Sequence, residues 1–189
     1  MEPYFVSTLL VALAEMGDRT QLLALVLAAH YRRPWSIIAG VLCATLVNHA
    51  AASFVGAHLA RFLTPSRLDA IVGISMIGMA LWTLKPDELD EEGAQPQRAS
   101  AFVATCIAFF MAEMGDKTQI ATMALAAAYQ SLAAVVAGTT LGMLAANVPV
   151  VFLGSAFSAR LPIKQIHIGA SLLFVALGAL FLWRASHPA

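Results

Sequence analysis

The sequence predicts an all-α membrane protein of six transmembrane helices, arranged as two inverted three-helix repeats. Three observations predict it. Of the 189 residues, 60% are hydrophobic and only 12% charged, against about 25% charged in soluble domains; the mean hydropathy is +0.78. The apolar residues gather into six runs, each near the roughly 20 residues that cross a bilayer core. The second half of the chain also repeats the first. This charge content argues against a soluble enzyme. The formal net charge of zero, 11 basic against 11 acidic residues, argues against the clustered basic surface that binds nucleic acid.

The six runs are Tyr4 to Ala29, Trp35 to Ala60, Leu68 to Leu84, Ala101 to Ala128, Leu132 to Ala159 and Ile163 to Trp183. The first follows Met-Glu-Pro-Tyr with no positive n-region, so it is expected to stay in the mature protein rather than be cleaved as a signal peptide. Turns rich in Pro and Arg separate the runs, at Arg32-Arg33-Pro34, at Arg61 to Arg67 and at Arg160-Leu161-Pro162, as suits short interfacial connections. The acidic stretch Asp87 to Glu92, between Pro86 and Pro96, reads as a solvated cytoplasmic linker. The expected units are therefore residues 1–84, a linker at 85–100, and residues 101–189. Cys43 and Cys106 each lie in an apolar run and read as packing residues, as do Met16 and Met114.

Sliding the chain by 98 residues superimposes Leu10 to Tyr31 on Ala108 to Tyr129, with eleven of 22 positions identical. Glu-Met-Gly-Asp-Arg-Thr-Gln (Glu15 to Gln21) returns as Glu-Met-Gly-Asp-Lys-Thr-Gln (Glu113 to Gln119). Three spans per half make the second copy enter from the opposite side, so the repeat is inverted. One side of the membrane carries Arg32, Arg33, Lys85, Arg98, Arg160 and Lys164; the other carries Arg61, Arg67 and Arg184. The positive-inside rule then puts the linker in the cytoplasm and both termini outside.

Both motifs fall at the centre of their runs. A central Asp, Lys or Arg costs about 2.5 to 3.5 kcal/mol, so six such residues would cost roughly 15 to 20 kcal/mol unless paired or bound to a ligand. Intrahelical pairs Glu15–Arg19 and Glu113–Lys117 would satisfy four of them and leave Asp18 and Asp116 unexplained. On unbroken helices Glu15, Asp18 and Gln21 share one stripe, as do Glu113, Asp116 and Gln119. Facing stripes gather four carboxylates and two amide oxygens, an oxygen-only site suited to Ca²⁺, Mn²⁺ or Mg²⁺ rather than Zn²⁺ or copper. Four acids against Arg19 and Lys117 leave −2, the charge that balances one divalent ion. Gly17 and Gly115 serve either close packing or a helix break; a break would bring Thr20 and Thr118 toward the ion. Asn48 and Asn147 are candidate outer ligands, and His49 a candidate proton relay. Gly138 to Gly142 is a GxxxG packing seam.

Clustered carboxylates bind protons and cations in competition, which is the minimal requirement for cation/proton exchange. The doubled Glu-x-Gly-Asp-(Lys or Arg)-Thr motif in six spans resembles the small cation/proton exchangers that include bacterial manganese exporters and Golgi manganese/calcium transporters. The resemblance implies export of Mn²⁺, and of Ca²⁺ as a second substrate, from the cytosol across a bacterial inner membrane in exchange for protons. It implies Glu15, Asp18, Glu113 and Asp116 as ligands, Arg19 and Lys117 as charge-compensating or gating residues, and no resident cofactor. The expected partners are divalent cations, protons and the lipid bilayer, with no nucleic acid. No nucleotide-binding loop is present, so the energy source is expected to be an ion gradient. A passive cation channel is the alternative. A metal-dependent lipid phosphatase is the weaker one, because only Arg19 and Lys117 lie deep enough to bind phosphate.

Overall fold

The computed structural model describes residues 2–84, 100–154 and 162–187. Among them are eight α-helices: α1 (Glu2–Glu15), α2 (Arg19–Tyr31), α3 (Pro34–Ala60), α4 (Pro65–Thr83), α5 (Ala101–Glu113), α6 (Lys117–Tyr129), α7 (Leu132–Leu153) and α8 (Ile163–Ser186). The acidic stretch from Asp87 to Glu92, and the end of the fifth run with Arg160, lie outside the described residues. Helices α3, α7 and α8, of 27, 22 and 24 residues, are each long and apolar enough to cross a membrane. The chain is an integral membrane protein.

The first and fourth apolar runs are not continuous helices, so the single-stripe expectation for their acids is corrected. Each run is a pair of short helices, 14 and 13 residues in the first and 13 and 13 in the fourth. At 1.5 Å per residue each is about 20 Å long, too short to cross alone. The glycines make the breaks. Gly17 at φ +84° and Gly115 at φ +75° take the left-handed backbone that a side chain disfavours. The chain then re-enters a helix through extended N-cap residues Asp18 and Asp116, whose φ/ψ values, −79°/166° and −78°/163°, nearly coincide. The two pairs end on left-handed Arg32 and Gln130. Breaks, caps and the starts of α3 and α7 all recur at the 98-residue offset seen in the sequence.

Small residues set the packing, as expected where lipid removes the hydrophobic drive between helices. Helix α7 seats Gly138 and Gly142 on α1, where an added Cβ would lie 2.5 Å from Tyr4 O and 2.7 Å from Thr8 O. The GxxxG is thus a seam. Gly40 of α3 meets Phe102 and Thr105 of α5 in the same way, and Gly73 of α4 meets Gly178 and Leu182 of α8. The Cys43 and Cys106 thiols, on α3 and α5, are free. The closest approach is at Gly56 of α3, where a Cβ would come 2.1 Å from the Met123 carbonyl oxygen of α6. Backbone cannot yield there, so Gly56→Ala is expected to destabilise the protein by about 1–3 kcal/mol or more. Gly78, with none of the described residues within 4 Å of its Cβ position, should tolerate alanine. Thermal unfolding in detergent checks the pair.

Candidate cation site

The two breaks bring the motifs together at the centre of the molecule. Each break exposes the carbonyl end of one short helix and the amide end of the next, and these need partners in a medium without water. The repeated glutamine supplies one: Gln21 Oε1 accepts from Gly17 N at 3.0 Å, and Gln119 Oε1 from Gly115 N at 2.8 Å. The amide oxygens expected to face the ion are therefore turned onto backbone. Their NH₂ groups reach across the molecule, Gln21 to Ala146 O and Gln119 to Asn48 Oδ1, both at 3.0 Å. Ala146 lies in the turn of α7 that Pro149 interrupts.

Carboxyl oxygens of Glu15, Asp18 and Asp116 lie within 4.8 Å of one another, and all three residues are buried. The charges pair between motifs rather than along a helix. Lys117 donates to Asp18 Oδ1, and Arg19 lies 3.4 Å from Asp116 Oδ1 while donating to Ala112 O at 2.6 Å. The i,i+4 pairs that a continuous helix would give are thus replaced, because each break rotates the basic residue away from its own glutamate. The breaks also deliver the threonines. Glu15 accepts from Thr20 Oγ1 at 2.6 Å and from Thr118 Oγ1.

Glu113 does not share Thr20 and Thr118 with Glu15 and bonds instead to α3. Its Oε1 accepts from Thr45 Oγ1 at 2.9 Å, its Oε2 from Asn48 Nδ2 at 3.4 Å, and His49 Nε2 stands 3.8 Å from Oε2. Asn147 donates to Met143 O at 3.1 Å, and its buried Oδ1 has no hydrogen-bond partner among the described residues. Asn48 thus joins the acid cluster directly and Asn147 does not.

From the sequence, Thr45 is passed over and His167 has only an interfacial place, whereas the structure buries both. Thr45 belongs to a polar stripe, Thr45, Asn48, His49 and Ser53, on one face of α3, and that period could have shown it. His167 of α8 has Nε2 2.9 Å from Met16 O, and with Ile163 it covers the Gly17 break at 2.6 to 3.2 Å from the missing Cβ. Among the described residues the Gly115 break has no such cover, with nothing within 4 Å of its Cβ position.

What the arrangement can hold is a hard cation. Buried carboxylate and hydroxyl oxygens converge at the mouths of two broken helices, with a formal surplus of two negative charges. A membrane protein with such a centre belongs to the class of cation transporters. The chain matches the divalent cation/proton antiporter GDT1 family over residues 3–91 and 101–189 and belongs to it. It is 49% identical over 180 residues, 93% of this chain and 90% of the other, to a Vibrio cholerae serotype O1 protein named "Putative manganese exporter". It is 28% identical over 194 residues to a GDT1-like protein of Synechocystis sp., covering 93% and 94% of the two chains. No solved structure matches it.

Proposed function

We propose that the protein exports Mn²⁺ from the cytosol across a bacterial inner membrane in exchange for protons, with Ca²⁺ as a weaker substrate. Glu15, Asp18 and Asp116 are the ligands at the crossing of the breaks, Thr20 and Thr118 orient Glu15, and Glu113 with Asn48 completes the path on the α3 side. Gln21, Gln119 and Asn147 are outer residues that hold the broken backbone, and Arg19 and Lys117 compensate charge while the ion is absent. The observation that carries this reading is the buried cluster of Glu15, Asp18 and Asp116 within 4.8 Å. Joined oxygens of that charge must take up protons or a cation, and either one displaces the other.

In this reading residues 1–84 and 101–189 are inverted three-span halves, residues 85–100 a cytoplasmic linker, and both termini lie outside. The short pairs α1–α2 and α5–α6 each count as one broken span, an arrangement that in transporters places helix ends at a midplane ion. The unequal covering of the two breaks supports alternation. Helix α8 lies on the Gly17 break while no described residue covers the Gly115 break, and exchanging these relations would turn the site from one side to the other.

The test is uphill transport. In liposomes with an acidic lumen and the potential clamped at zero, Mn²⁺ added outside should accumulate above its external concentration, read by a trapped metal-quenched dye. Accumulation should cease when the pH gradient is collapsed. Simple equilibration would make the protein a channel. Repeating the assay with Ca²⁺, Mg²⁺ and Zn²⁺ at two pH values ranks the substrates, and the apparent affinity should fall as protons become more abundant.

A further inference from the structure

Helices α3, α4 and α6 enclose an apolar groove of about 380 Å³, away from the acid cluster. Leu59, Phe62, Leu63, Ile71 and Met123 line it, and among the described residues Ser75 is the sole polar one along its wall. Leu59, Phe62 and Ile71 are half or more exposed, so the groove opens toward the lipid rather than into the protein. In water such a groove would be closed by the hydrophobic effect. In a bilayer its natural occupant is hydrocarbon.

The chain that flanks the groove between α3 and α4 is charged. Phe62 and Leu63 of its lining sit in the turn between α3 and α4, beside Arg61, and Leu68 sits in the first turn of α4, beside Arg67; both arginines are exposed. Neither arginine forms an ion pair among the described residues. Asp69 is the only acid in this stretch, leaving one net positive charge. Helix α4 also begins here, with Pro65 at its first position; the N–H groups of its first turn add a positive helix end at the same depth. An apolar slot whose lining residues Phe62 and Leu68 are each preceded by an exposed arginine, at a helix N-terminus, matches a ligand with a hydrocarbon chain and an anionic head. A neutral lipid would fill the slot and leave the charge unmatched.

We propose that this groove binds an anionic phospholipid, one acyl chain lying between α4 and α6 and the phosphate held by Arg61, Arg67 and the first turn of α4. The bound lipid braces α6, whose first turn carries Lys117 and Thr118, against α4. The site is independent of which ion is carried and in which direction.

Native mass spectrometry of the purified full chain, titrated with phosphatidylglycerol or with phosphatidylcholine of the same chains, tests it. The unaltered protein should retain one phosphatidylglycerol at least about tenfold more tightly, a difference of about 1.4 kcal/mol. The doubly substituted Arg61→Gln/Arg67→Gln protein should bind both lipids alike, whereas Arg33→Gln, at the other end of α3, should keep the preference. Ser75→Phe, which fills the slot, should weaken both lipids. Equal retention of the two lipids by the unaltered protein would overturn the proposal without a variant being needed. So would a preference that survives loss of both arginines, or a dimer that excludes lipid and so assigns the groove to a second copy.

Discussion

Glu15→Gln and Asp116→Asn are each expected to lower Mn²⁺ flux in liposomes at least about a hundredfold, equivalent to about 2.7 kcal/mol, while leaving the fold intact. Both substitutions keep shape and remove one charge, so the surplus at the centre falls from −2 to −1 and no longer balances a divalent ion. The surroundings of Glu15 tolerate the change. Its partners are the hydroxyls of Thr20 and Thr118, which can rotate to accept from an amide as readily as they donate to a carboxylate. Asp116 caps α6 by accepting from Thr118 N at 3.5 Å, and asparagine is an equally good cap. Loss of transport with an unchanged unfolding midpoint would therefore isolate the charge. Flux within twofold of the unaltered protein in either variant would remove that residue from the ligand set.

The motif was legible because nothing else explains six charged residues at the centre of apolar runs, and the 98-residue offset set the copies in register. The geometry of the site was less legible, for a local reason. A glycine inside a membrane helix is compatible with close packing or with a break, and both uses occur here. Gly40, Gly56, Gly138 and Gly142 pack against neighbouring helices, whereas Gly17 and Gly115 adopt positive φ. Only the second use turns Thr20 and Thr118 toward the acids and exchanges the partners of Arg19 and Lys117 between motifs. The contribution of α3 was half legible. Asn48 and His49 stood out as polar residues in an apolar run, but Thr45 did not, since a threonine there commonly bonds its own helix, as Thr139 does to Val135 O in α7. The cover of the Gly17 break by Ile163 and His167 joins residues about 150 apart, and no local pattern carries such a contact.

Lys117→Met is expected to destabilise the protein by about 3–5 kcal/mol, because it removes the cation paired with the Asp18 carboxylate where both side chains are 0% exposed. Breaking a buried pair costs far more than removing it whole, so Asp18→Asn/Lys117→Met should recover most of that loss. Arg19→Met should cost less than Lys117→Met, since the Arg19 side chain is 30% exposed and its pair with Asp116 spans 3.4 Å. Thermal unfolding of the four proteins in one detergent gives the comparison. Transport separates the two roles left for Asp18. The double variant keeps a formal surplus of −2, from Glu15, Glu113 and Asp116 against Arg19, so if charge balance alone sufficed, flux would return with stability. If Asp18 is a ligand, stability returns and flux does not, and this is the expected result. A stable double variant with restored Mn²⁺ flux would make Asp18 and Lys117 a structural pair and leave Glu15 and Asp116 to hold the ion.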